Sequence, residues 1–105
     1  LINKREEKDL FIFKVEGSSM ETPGKRSIPP GTIAICTRKF DLREAIGKPV
    51  VLSINHENAI IREFDVDGDS LRLIPWNNQY QTISEKQTNI KIYGRVLKCI
   101  YSFED

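Results

Sequence analysis

Residues 49–74, PVVLSINHENAIIREFDVDGDSLRLI, decide the fold. PVVLSI (49–54) is an apolar, β-branched run, NHEN (55–58) is a tight polar turn, and AIIREF (59–64) returns from it, so residues 49–64 read as a hairpin. VDGD (66–69) carries an Asp-Gly turn signal and leads into SLRLI (70–74), which makes a second hairpin on the first. Three short strands joined by two tight turns predict an antiparallel β domain.

The flanks read the same way. Upstream, DLFIFKVEG (9–17) is β-rich and stops at Gly17, and TIAICT (32–37) is a further strand. Between them, GSSMETPGKRSIPPG (17–31) gathers three of the six glycines and three of the five prolines and must be loop. A loop of that length in a small domain is functional or disordered. DLREAI (41–46) supports one helical turn, with Asp41 as its cap and Gly47 as its stop. Downstream of PWNNQYQTI, the segment NIKIYGRVLKCIYSF (89–103) is a long strand with a bulge or bend at Gly94. The expectation is a mainly β fold of small twisted sheets and hairpins with little helix. Residues 1–9, LINKREEKD, read as a linker remnant and residues 10–105 as one domain.

Composition narrows the function. With 16 Lys+Arg against 15 Asp+Glu the 105-residue chain has a formal net charge of +1, which lacks the bulk electrostatic grip on phosphates of a stand-alone DNA-binding module. The longest apolar runs fall far short of the ~20 residues a membrane-spanning helix needs, and no secretory leader opens the sequence. The first residue is Leu1, which leads us to expect a piece of a longer chain with a further domain upstream. Cys36 and Cys99 have no metal-ligand spacing around them and read as reduced thiols of a cytoplasmic protein, with a single disulfide as the rival reading. The lone His56 sits in a hairpin turn, so neither a metal site nor a cofactor is expected.

Two positions could carry chemistry. On period-2 alternation Arg62 shares a face with Ile60 and Phe64, while Ala59 and Ile61 make the opposite face apolar as well. A charge is therefore half-buried on either choice. It needs a carboxylate or several acceptors, unless its stem snorkels to the rim. The second position is Ser19 in GSSM (17–20), a hydroxyl at the end of a strand in backbone made permissive by glycine. Ser and Gly are also plain turn residues, so the motif alone does not decide between nucleophile and turn.

Taken in order, GSSMETP (17–23), PPGTIAI (29–35), GKPVVLSI (47–54), AIIREF (59–64), LRLIPWNNQY (71–80) and IYGRVL (92–97) resemble the carboxy-terminal domain shared by LexA repressors, lambda-type phage repressors and UmuD proteins, the peptidase S24 family. The resemblance runs from Leu10 onward and includes the pattern kept as Leu73, Pro75, Asn77 and Tyr80. It implies a mostly β domain that dimerises, often through carboxy-terminal strands, and that follows an amino-terminal helix-turn-helix head. In this family a Ser attacks a peptide bond of the linker region and a neutral Lys on a neighbouring strand takes its proton. Ser19, immediately before Met20, matches the nucleophile; the base position falls on Arg62.

That substitution changes the chemistry. A buried lysine can lose its proton, because desolvation depresses its pKa. A guanidinium keeps its proton, so Arg62 can hold Ser19 or pair with a carboxylate but cannot activate the hydroxyl. The family's scissile Ala-Gly or Cys-Gly pair is also missing, since the only Gly before Ser19 is Gly17. The leading expectation is thus the regulatory, dimerising domain of a LexA- or phage-repressor-like regulator with a relic Ser19/Arg62 pair. It would touch DNA only through the upstream head and respond to a RecA-type inducer. One rival is an active serine autoprotease whose base is Lys14, Lys25, Lys48 or His56. Another is an unrelated β-rich binding module in which GSSM is only a turn. Self-association is expected at residues 90–101, as a long apolar edge in need of cover.

Overall fold

A computed structural model of the chain describes residues 8–101. Seven strands, β1 (Leu10–Lys14), β2 (Ile33–Thr37), β3 (Pro49–Ile54), β4 (Ile60–Asp67), β5 (Ser70–Ile74), β6 (Ile83–Lys86) and β7 (Ile90–Ile100), join in one antiparallel sheet of order β1-β2-β7-β3-β4-β5-β6. The two hairpins read from residues 49–74 are β3–β4 and β4–β5. Asn55 and His56 take positive φ angles of 50° and 63° in the first turn, and Gly68 supplies the second. The helical turn α1 (Leu42–Ala45) is capped by the Asp41 side chain, which accepts from the Arg43 N–H at 2.8 Å. It stops at Gly47, whose φ is +82°. β4 runs to Asp67, through residues the local signal assigns to the turn. β6 carries no local signal: ISEK (83–86) is short and half-exposed, and it is a strand because it pairs with β5.

The core lies on both sides of the sheet. On one side Val50, Leu52, Phe64, Leu71 and Leu73 pack with Ala45 of α1. On the other, Val15, Met20, Ile28 and Ile61 form a second cluster, which shares Val96 and Cys99 with a third built on Ala34, Cys36 and Val51. The β1–β2 loop is therefore tied down, with Met20 and Ile28 buried as its anchors and the Ile28 N–H bonded to the Met20 carbonyl.

The expectation for residues 90–101 requires correction. β7 is an interior strand, paired with β3 over residues 90–95 and with β2 over residues 95–100. Register shifts fall beside Val51/Leu52 and Ile35/Cys36, the first next to Gly94 where a bulge is predicted. What stays open is narrower. The β3 ladder ends at Arg95 because the next residue of β3 is Pro49, which has no N–H to give. From Val96 onward the edge of β7 turned away from β2 has no strand partner among the described residues. Residues 1–7 of the expected linker and residues 102–103 of the predicted last strand lie outside the described residues.

Candidate functional site

The β1–β2 loop places Ser19. Gly17, at φ +76°, turns the chain out of β1, Met20 plugs into the core, and Ser19 between them is 6% exposed. The loop is held from across the sheet by the segment after β5. The Asn77 N–H donates to the Ser19 carbonyl and its Nδ2 to the Ser18 carbonyl, each at 2.9 Å. The Tyr80 hydroxyl lies 2.9 Å from Ser18 Oγ. PWNNQY is thus the support of the serine loop, a role that residue types alone do not reveal because it depends on β5 and β6 bringing the segment back to residue 18.

Arg62 is brought to this loop by the β3–β4 hairpin, where it sits opposite Val50. Its Nη1 donates to Ser19 Oγ at 2.5 Å and to the Ile61 carbonyl at 2.8 Å, across 43 residues of sequence for the first contact. The guanidinium is half-buried and does not snorkel free. Its Nε is enclosed without a hydrogen-bond partner, and no carboxylate pairs with it among the described residues. Burial pulls the Arg62 pKa below its ordinary value, and the nearby Tyr80 opposes the shift. From the starting point of a guanidinium this leaves the group protonated.

Beside the pair, Glu63 collects two donors. Trp76 Nε1 reaches its Oε1 at 2.9 Å and Arg26 Nη2 reaches the same atom at 3.0 Å, while the Arg26 guanidinium lies 4.2 Å from the Trp76 ring centroid. This clasp fastens the middle of the β1–β2 loop to β4. Sequence reasoning missed it, although a Trp and a Glu with partly apolar surroundings were signals that each needed a partner.

The other candidate bases do not meet Ser19. Lys14, Lys25 and Lys48 are exposed, and His56 stays in the β3–β4 turn. Among the described residues the only hydrogen-bond partner of Ser19 Oγ is Arg62. Among the described residues no three or more metal-ligating side chains cluster, and no helix is long and apolar enough to cross a membrane. Both cysteines are free thiols on neighbouring strands. Burial pushes Cys36 up to about 12 and raises Cys99 as well.

The fold and the site together define an antiparallel β domain in which a serine at a glycine turn is held by an arginine of a hairpin strand. Residues 2–97 match the family model described as Peptidase S24-like, and the chain belongs to that family. It is 34% identical over 95 residues to the HTH-type transcriptional regulator for conjugative element R391 of Providencia rettgeri, with the same figures for the regulators for elements SXT of Vibrio cholerae and pMERPH of Shewanella putrefaciens. The matches cover 89% of this chain and 43% of each regulator, so the chain spans less than half the length of these relatives.

Proposed function

We propose that residues 10–105 are the regulatory and dimerising domain of an HTH-type transcriptional regulator in which the self-cleavage dyad has become a structural contact. The observation that carries this reading is the hydrogen bond from Arg62 to Ser19. Among the described residues the one hydrogen-bond partner of the hydroxyl is a permanent cation, which donates and cannot accept the proton a nucleophilic serine must lose. DNA contact belongs to an upstream head, in keeping with the names of the relatives and with the net charge of +1. The reduced thiols fit a cytoplasmic protein.

Self-association through the carboxy-terminal strand is supported by the edge of residues 96–100, where the backbone groups turned away from β2 have no strand partner among the described residues. Antiparallel pairing of that edge with a second copy would satisfy them. Concentration-dependent hydrogen-exchange protection at residues 96–100 tests it, and amides that exchange equally fast at every concentration would exclude it.

The silent dyad is tested on the full-length parent, incubated with activated RecA filament or at raised pH. The wild type is expected to stay intact and the Arg62→Lys variant to gain cleavage that Ser19→Ala abolishes. Efficient Ser19-dependent cleavage of the wild type would overturn the reading.

A further inference from the structure

The two cysteines stand on one face of the sheet, on either side of the β2–β7 boundary. Alternation puts Ala34 and Cys36 of β2 on the same buried side, and Cys99 of β7 pairs directly with Ala34, so its side chain projects to that side as well. Cys36 is therefore the diagonal neighbour of Cys99. The register shift at Ile35/Cys36 preserves this arrangement, because Val96 comes opposite Cys36 and both Val96 and Cys99 pack against the apolar cluster of Ala34, Cys36 and Val51. The Cys36 thiol leans back toward the Ala34/Cys99 pair, since its S–H donates to the Ala34 carbonyl at 3.7 Å. Phe11 and Phe13 of β1, paired with Cys36 and Ala34, close the other flank. The sulfurs are near enough that Cys99 adds to the upward push that burial exerts on the Cys36 thiol. Diagonal neighbours ordinarily stand ~7–8 Å apart, against ~4.4–6.8 Å between the Cα atoms of a disulfide, so a bond asks for a shift of about an ångström. The bulge in β7 is the point of the ladder that can supply it.

We propose that Cys36 and Cys99 form a dithiol site that hydrogen peroxide closes to a reversible disulfide between β2 and β7, with Cys99 as the attacking thiol and Cys36 as the resolving one. Cys99 is partly buried and Cys36 wholly so, which gives the oxidant access to Cys99 first. The Cys99 thiol gives up its proton and its sulfur attacks one peroxide oxygen; the O–O bond breaks, Cys99 becomes a sulfenic acid, and the released hydroxide takes up the proton as water. The Cys36 sulfur then displaces the sulfenic oxygen. The S–S bond forms, and the displaced hydroxide leaves with the Cys36 proton as a second water. Two thiols are oxidised by two electrons in all, and one peroxide is reduced to two waters. Because burial holds both thiols protonated, the first step is slow, and the site answers sustained rather than brief exposure. Closure fastens β2 to the last residues of β7 and restrains the bulge between Val96 and Cys99, without involving Ser19 or Arg62.

Peroxide treatment of the intact, folded chain tests this, read by mass spectrometry and hydrogen exchange. Both free thiols are expected to disappear together, with the chain lighter by two hydrogens, one crosslinked peptide pair containing Cys36 and Cys99, and full recovery on adding dithiothreitol. Dimedone should capture little sulfenic acid in the wild type. In Cys36→Ala, which lacks the resolving thiol, it should capture Cys99, whereas Cys99→Ala should leave Cys36 unreacted; thermal midpoints check that both variants fold. In urea, where only flexible chain joins the two cysteines, the fraction of oxidised chain that closes rather than reacts with dimedone should fall about tenfold. Amide exchange at Leu97 and Lys98 should slow in the oxidised chain and return on reduction. Oxidation of the two thiols independently to sulfinic acids, crosslinks only between chains, closure as efficient in urea as in the folded chain, or exchange at Leu97 and Lys98 that is the same in both forms would overturn the inference.

Discussion

Gly94 is required by space rather than by backbone angle, since its φ is not among the positive values. A Cβ placed there would stand 2.5 Å from Phe11 Cε1, 2.9 Å from Phe11 Cζ and 2.5 Å from the Thr37 carbonyl oxygen. The ring belongs to β1 and can tilt. The carbonyl belongs to β2, whose Thr37 pairs directly with Arg95, and it cannot move without opening the β2–β7 ladder. Over-packing costs about 1–3 kcal/mol, and a backbone clash places Gly94→Ala at the upper end. Against this stands a gain of about 0.4–1 kcal/mol from the reduced freedom of the unfolded chain. The net loss is about 2–2.5 kcal/mol, a fall in the thermal midpoint of about 8–20 °C for a domain of this size. Urea denaturation followed by tryptophan fluorescence measures it, with Phe11→Leu as the second arm of a double-mutant cycle. Removing the outer ring atoms is expected to restore only part of the loss, because the Thr37 contact remains. A Gly94→Ala variant within about 0.5 kcal/mol of wild type, or one fully rescued by Phe11→Leu, would refute the placement of Gly94 beneath β1 and against β2.

In the parent carrying Arg62→Lys, a half-buried lysine has its pKa below the ordinary lysine value, so cleavage should rise with pH through the folded-state pKa and then level off. Its folded state releases a proton that the unfolded chain retains, so the stability of this variant should also rise with pH between those two values; a flat rate profile would argue against lysine as the base. Asn77→Ala removes the donor to the Ser18 carbonyl and should cost about 1–2 kcal/mol, with faster amide exchange at residues 18–20; unchanged exchange there would mean that the PWNNQY segment does not hold the loop. Cys36, pushed up to about 12, should resist alkylation at pH 8 until the domain unfolds, while the partly buried Cys99 reacts first. The same shift makes Cys36 favour the folded state less as pH climbs from the ordinary thiol value of 9.0 toward about 12, so stability should decline over that window and recover part of its pH independence in Cys36→Ala.

The hairpins over residues 49–74 were legible because their signals are local: an apolar run, a polar turn of four residues and an Asp-Gly pair act within a few residues of where they are read. The Asp41 cap of α1 is local in the same sense. β6 was not legible, since four half-exposed residues have no pattern of their own and become a strand only by pairing with β5. The place of β7 was not legible for a related reason. An alternating apolar strand looks the same whether its edges are free or covered, and only the order of the sheet sets β2 on one side and β3 on the other.

At the site the division is equally sharp. Residue types by themselves determined that position 62 holds a permanent cation where a proton acceptor would be needed, because the acidity of a guanidinium is set by its covalent structure and survives burial. They also determined that a charge on a strand with two apolar faces must find acceptors. Which acceptors it finds was decided by the tertiary structure alone: Ser19 lies 43 residues away, and the two meet because Met20 anchors the loop in one core cluster, Asn77 from the segment after β5 grips it, and the β3–β4 hairpin carries Arg62 to it. Contacts of that separation depend on the closure of every intervening loop onto a shared core, and no local pattern encodes them.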